Sequence, residues 1–295
     1  MTPTLAQSHR PHAGSAPRVD LCARARDWAE IQERMLVPLY EAVYERLEVG
    51  RGTRLLGLGC GSGLALLMAA SRGATVTGVE ASAPERLALA RTRLLGDATA
   101  ETAPEARARG EATLLDGGPA AAAAPGTPAY DLVTAFHPIG CVAGDSEGLS
   151  TLLKEAAPLA TRGAPVVLVG WGPPERCATS GVLRVATKLA DPLRSTGSWR
   201  PALRDDLEEV AQRAGLKPDG SGRVACPFGY ADVDSAVRGL LSTGLFDAAV
   251  GATDQVQVDK ELTEALHPHR RRDGTVWMSN VFRYLIARTP ARAEA

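Results

Sequence analysis

The sequence predicts an α/β fold built on a doubly wound parallel sheet, and three observations carry that prediction. Between residues 54 and 171 short apolar runs alternate with helix-length segments, the pattern of consecutive strand–helix–strand units. The first run passes straight into a glycine-rich turn, Arg54-Leu-Leu-Gly-Leu-Gly-Cys-Gly-Ser-Gly63, and then a helix over residues 64–71. The second, Thr75-Val-Thr-Gly-Val-Glu80, ends on an acid. Ligands of such sheets bind at the carboxyl ends of the strands where the winding reverses, so the turn and the acid mark the expected site.

Taken in order, residues 1–19 carry Pro, Gly, Ser and His with no apolar stretch and are expected to form a disordered arm. From Leu21 to Leu47 apolar residues recur every three or four positions, giving N-terminal helices over residues 20–50 with a break near Val37, because Pro38 cannot donate an i→i−4 bond. Trp28 and Tyr40 are the aromatic residues of this segment that could reach past the core into a site. In the turn, Gly57, Gly59, Gly61 and Gly63 admit positive φ and let a ligand approach the backbone, while the following helix aims unpaired amides at the same spot. Glu80 is placed to accept hydrogen bonds from both hydroxyls of a ribose. A helix starts at Pro84 with Ser82 as its cap and runs through Leu94. Residues 96–110 form a loose helix or insertion, 111–116 a third strand ending in Asp116, and 117–128 a surface loop. Tyr130–Phe136 is a fourth strand, closing on Phe136-His137-Pro138; a helix over Leu149–Leu159 and a fifth strand, Pro165–Trp171, follow.

Beyond Trp171 the pattern loosens. Residues 51–172, 201–230 and 273–288 are expected to make the core, with 173–200 and 231–272 as cap insertions. A helix at Pro201–Ala214 leads to a strand near Arg223–Cys226, and Thr275–Ala287 alternates as one long final strand after the Asp273-Gly274 turn.

With 33 basic and 34 acidic residues the net charge is −1, which gives no global field for nucleic acid or an anionic membrane. Five scattered cysteines without CxxC spacing indicate neither a disulfide framework nor a zinc site and suit a reducing cytoplasm. No run approaches the roughly 18 apolar residues of a membrane span.

The order of motifs over residues 20–288 resembles the class I S-adenosylmethionine-dependent methyltransferases. Leu55–Gly63 is similar to their first motif, Glu80 falls on the ribose-binding acid, Asp116 on the acid beside the adenine amino group, and Tyr130–Phe136 on the fourth motif. Trp171-Gly-Pro-Pro-Glu-Arg-Cys177 and the 274–285 segment resemble a bacterial small-molecule branch with a helical cap, in which an aromatic pair matched by Trp28 and Tyr40 closes the cofactor site. The resemblance implies a Rossmann-like, seven-stranded, mostly parallel sheet with an antiparallel final hairpin, binding S-adenosylmethionine through the turn, including Cys60, through Glu80 and Ala81, through Leu115, Asp116 and Gly117, and through Phe136. The Gly-x-Gly-x-Gly spacing also differs from the dinucleotide fingerprint, as suits a cofactor without phosphate.

The chain departs from the family at Gly57, where relatives carry an acid that braces the turn and contacts the methionine amine; the change is either tolerated with weaker binding or frees the amine for unusual chemistry. Pro138, Gly140 and Cys141 replace residues common in relatives and reshape the acceptor pocket. His137 is the candidate base, being at the fourth strand's end and titrating near neutrality, or it simply hydrogen-bonds the backbone or cofactor. Tyr40, His137, Cys141, Trp171 and Cys177 are the expected substrate pocket. The expectation is a cytoplasmic, monomeric or homodimeric enzyme methylating a small molecule, a natural-product intermediate, without metal. The alternatives are a cofactor-using enzyme doing non-methyl chemistry, such as cyclisation, and a non-catalytic binding protein; a nicotinamide dehydrogenase is disfavoured by the turn spacing.

Overall fold

The computed structural model describes residues 20–96, 111–123, 129–139, 145–190 and 206–291. The expected arm (1–19), nearly all of the 96–110 insertion, Cys141 and parts of the 117–128 loop and 173–200 cap lie outside them. The strands are β1 (Arg54–Leu58), β2 (Thr75–Glu80), β3 (Ala112–Asp116), β4 (Leu132–Ile139), β5 (Pro165–Trp171), β6 (Lys217–Ala225), β7 (Phe228–Tyr230), β8 (Val276–Met278) and β9 (Val281–Arg288). Seven of them form one sheet in the order β3-β2-β1-β4-β5-β9-β6, and β7 pairs with β8 apart from it. The first five run parallel; β9 is antiparallel to both β5 and β6, closing the sheet on the expected hairpin. The chain runs from β1 outward to β3, then crosses to β4, so the winding reverses between β1 and β4.

Successive residues of the central strands point to opposite faces, and each face is buried. Leu55, Val76 and Val167 pack under α2 (Val37–Arg46), α3 (Leu64–Ser71) and α4 (Pro84–Leu95), while Leu56, Val133 and Leu168 pack under α5 (Asp145–Ala156) and α7 (Asp206–Arg213). The cap residues join the first of these cores: α6 (Thr179–Ala190), α8 (Val233–Ser242), α9 (Asp247–Ala252) and α10 (Gln255–Leu266) contribute Val182, Leu240, Ala249 and Leu262.

Three local expectations need correction. The final strand is two, β8 and β9, because the buried Asn280 turns away to accept the Thr179 amide on Oδ1 and, through its backbone carbonyl, the Cys226 amide. Ser82 does not cap α4; Ala83 is the N-cap residue, and the Ser82 hydroxyl donates to Glu80 instead. The N-terminal helical segment does restart at Val37, but its irregularity begins earlier: α1 (Leu21–Asp27) gives way to a π-turn over Trp28–Gln32 and a 3-10 turn over Glu33–Leu36 before α2.

Candidate functional site

A cavity of about 340 Å³ opens at the β1/β4 reversal. Its floor is the glycine turn, one wall is Glu80 at the end of β2, another is Phe136–Ile139 of β4, and its roof is Trp28, Glu33, Leu36 and Tyr40 from the N-terminal helices. Gly59 and Gly61 sit at φ +58° and +56°, where a side chain is strained, and a Cβ on Gly59 would project into open space. Gly63, also expected to face a ligand, does not line the cavity. It opens α3 at φ +79°, and a Cβ there would come 2.9 Å from the Cβ of Ala90, so it is glycine because α4 packs against it. A Cβ on Gly57 would come 2.8 Å from Leu66 Cδ2, the flexible end of that side chain.

The turn is held by two carboxylates. Glu80, 5% exposed, accepts the Gly61 amide on Oε2 (3.0 Å) and the Ser82 amide and hydroxyl on Oε1 (3.0 and 2.7 Å). A carboxylate has about four acceptor sites, so the capacity left for a ribose is smaller than the sequence implied. The second is Glu33, 3% exposed, which accepts from the Ser62 hydroxyl, the Leu64 amide (3.4 Å) and Arg93 (2.9 Å). The π-turn explains how it reaches the site. The Glu33 amide donates to the carbonyl of Trp28, five residues back. Residues five apart on a regular α-helix would stand about 140° apart, whereas the wider turn brings Trp28 and Glu33 together over Gly61, whose Cβ position is 3.4 Å from Trp28 Nε1 and 3.6 Å from Glu33 Oε1.

Among the described residues Trp28 Nε1 is buried without an acceptor, an uncommon condition for an indole donor. Its ring carries the Arg86 guanidinium 4.2 Å from the centroid, and Arg86 also donates to the Ser242 carbonyl of the cap (2.6 Å). Burial pulls the Arg86 pKa down, with the Glu80 charge opposing; as an arginine it stays charged. Cys60 lines the cavity as a neutral thiol, its pKa pushed up to about 12 by burial first and then by Glu80 and Glu33.

His137 lies on a stretch of β4 where the register against β5 shifts between Ala135 and Ile139. Such irregularities re-aim a side chain, and here His137 is an exposed residue of the strand that lines the cavity. Burial, and then the Arg86 charge, lower its pKa from the ordinary value, with Glu80 and Asp145 opposing, so it is neutral at neutral pH. A second chamber, about 280 Å³, lies beyond it, lined by Gln32, Trp171, Phe228, Leu245 and Phe282 among others. Trp28, Leu36, His137, Pro138 and Asp145 line both chambers, so His137 stands at their junction.

Of the expected site residues, Trp28, Tyr40, Gly57, Gly59, Cys60, Gly61, Glu80, Phe136 and His137 line the first chamber, and the Tyr40 ring packs 4.8 Å from Phe136. Trp171 lines the second. Asp116 is in register with Glu80, and the Gly117 amide donates to the Glu80 carbonyl, but Ala81, Leu115, Asp116 and Gly117 line neither chamber. Cys177 is not in the pocket: it is buried under β9, its thiol donating to the Val281 carbonyl, its pKa raised by burial. Glu33, Arg86, Asp145, Gln32, Phe228 and Phe282 were not anticipated. No sequence signal marked them, since each sits where a helix or strand pattern accounts for it.

No family model matches the chain, and no curated protein matches it. Solved structures do. An S-adenosylmethionine-dependent methyltransferase from Thiobacillus denitrificans, in complex with S-adenosyl-L-homocysteine, is 17% identical over 92% of this chain and 99% of its own, with a TM-score of 0.52. The YcgJ protein of Bacillus subtilis is 14% identical over 86% and 98%, TM-score 0.51. A protein that converts a disulfide bond into a thioacetal group in echinomycin biosynthesis is 15% identical over 87% and 83%, TM-score 0.50. The chain has the Rossmann-like fold of the class I S-adenosylmethionine-dependent methyltransferases.

Proposed function

We propose that this protein is an S-adenosylmethionine-dependent methyltransferase acting on a small molecule. The observation that carries the reading is the meeting of two chambers at His137, one built on the glycine turn and bearing Glu33, Glu80 and Arg86, the other walled by aromatic side chains. The first fits the cofactor on three counts: Gly59 leaves a cradle a Cβ would fill, Trp28 Nε1 is an orphaned donor at the turn, and Arg86 stands with Glu33 and Glu80, giving both signs of charge for an amino-acid zwitterion. When bound there, S-adenosylmethionine supplies a methyl group on a sulfonium leaving group. The chain's own part is alignment, worth several kcal/mol, and proton transfer. His137, neutral and at the junction, would take the proton that the acceptor's hydroxyl releases as it is methylated. Asp116 and Gly117, beside Glu80, are the proposed adenine end.

No helix among the described residues is long and apolar enough to cross a membrane. A cytoplasmic enzyme, monomeric or dimeric, without metal or nucleic-acid partner, completes the proposal; the echinomycin neighbour supports a place in natural-product assembly. Purified protein incubated with labelled S-adenosylmethionine and an acceptor panel tests it by mass spectrometry. S-adenosylhomocysteine with a methylated product is the expected result, and calorimetry showing no cofactor binding would overturn it. A second reading is cofactor use without methyl transfer: Gly57 stands where the family that the sequence resembles carries an acid, and Leu66 Cδ2 comes within 2.8 Å of where its Cβ would be. Accumulation of methylthioadenosine, or turnover of an acceptor with the cofactor unchanged, would select it.

A further inference from the structure

The second chamber differs in chemistry from the first. Trp171 and Phe282 meet with centroids 4.5 Å apart, and Phe228 stacks on Phe282 at 6.1 Å, so one side is a continuous aromatic wall; Leu36, Pro138 and Leu245 continue the apolar lining. Among the described residues no lysine or arginine lines it, and the charged side chain that does is Asp145. An anionic molecule would therefore lose its hydration for no cation in return and meet a carboxylate. Of the other polar groups, Thr243 is occupied within the cap, its hydroxyl donating to the Leu240 carbonyl (2.6 Å) and accepting the Leu245 amide (3.2 Å). Gln32 is different. It is 4% exposed, and its Oε1 accepts the Tyr230 hydroxyl at 2.9 Å. Burial raises the Tyr230 pKa, so that hydroxyl keeps its proton, and its hydrogen bond to Oε1 sets the amide with its oxygen toward Tyr230. The Gln32 NH2 group is left as a donor in a mainly apolar chamber, whose other polar side chains include Trp28, His137, Thr243 and Asp145.

We infer that the second chamber is an acceptor site for a flat, uncharged molecule that carries a hydroxyl at the His137 end and a carbonyl-type oxygen read by the Gln32 amide, with Tyr230 as the positioning residue that orients Gln32. This rests on the methyltransferase reading and supplies its substrate class. A neutral imidazole matches a weakly acidic hydroxyl of phenol or enol type, whose proton it can take, better than an acceptor that needs a cationic partner.

The test is calorimetry on the full-length protein saturated with S-adenosylhomocysteine, using 4-hydroxyacetophenone, 4-ethylphenol and 4-hydroxybenzoate, which share a ring and a hydroxyl. The ketone is expected to bind about tenfold tighter than either other probe, because one buried donor goes unmet with the ethyl compound and a charge goes unmet with the benzoate. Gln32→Leu should bring the ketone and the ethyl compound within about twofold of each other and leave the benzoate weak. Tyr230→Phe, which frees the amide to turn, should shrink the same difference and serves where Gln32→Leu does not fold. Equal binding of the benzoate, an equal loss of all three ligands in the variants, or no binding of any of them overturns the assignment. A wild-type protein that fails to bind S-adenosylhomocysteine overturns the methyltransferase reading itself.

Discussion

Glu33 and Arg93 form an ion pair at 2.9 Å between the N-terminal helical segment and α4, and the pair closes over the start of α3. Arg93 also donates to the Ser62 carbonyl at 2.8 Å, and Ser62 donates to Glu33, so three separate parts of the chain are tied above the glycine turn. Removing one partner leaves a buried charge unpaired, a loss on the order of 3 kcal/mol. Arg93→Met is expected to lower the unfolding free energy by about that amount, discounted somewhat because Arg93 is partly exposed. Urea denaturation measures it, and an unchanged midpoint would remove Glu33 as a brace.

The glycines of the turn separate into two kinds. Gly63→Ala combines a left-handed backbone with a 2.9 Å approach to Ala90 and should cost at least about 2 kcal/mol of stability. Gly59→Ala meets no neighbour, so its stability cost should stay near about 1 kcal/mol while affinity for S-adenosylhomocysteine falls by about tenfold or more. Thermal unfolding and calorimetry on both variants check the contrast; equal binding losses would refute it.

Trp28→Phe removes a donor that has no partner in the free protein. An unmet buried donor costs about 1–3 kcal/mol, which offsets the packing lost, so the melting temperature should hold or rise. Cofactor affinity should fall all the same, since the proposed ligand is the missing acceptor. Parallel losses of stability and affinity would show that the indole only packs.

His137→Gln should lower kcat by about 10²- to 10⁴-fold with little change in S-adenosylhomocysteine binding. The pH profile carries a second check. The base works unprotonated, and burial and Arg86 lower its pKa, so the acid limb of kcat/KM should fall below about pH 6.5, the ordinary histidine value. Arg86→Met removes the repelling charge and should move that limb upward. For folding the sign is the same: a depressed native pKa contributes stability that is full above about pH 6.5 and is lost as the pH falls through the native value. An acid limb unchanged in His137→Gln would exclude the imidazole as the base.

Strand periodicity, the glycine spacing and an acid at the end of the second strand were enough to place the sheet, the winding reversal and the turn, because these depend on local backbone requirements and on burial of each face. Gly59 and Glu80 were legible for the same reason: each lies at or just beyond a strand end, so sequence position determines place, whereas His137 lies within β4, which runs past the expected end at Phe136 to Ile139. The charges around them were not legible. Glu33 reaches the turn only through a π-turn, Arg86 only by stacking on Trp28, and Gln32 acquires its orientation only from Tyr230 of β7. Side chains brought together from helices and cap depend on how elements cross, and no periodicity records that. The role of Gly63 shifted for the same reason, from ligand contact to helix packing against Ala90, since a glycine's freedom shows in sequence but the neighbour that demands it appears only when the helices are packed.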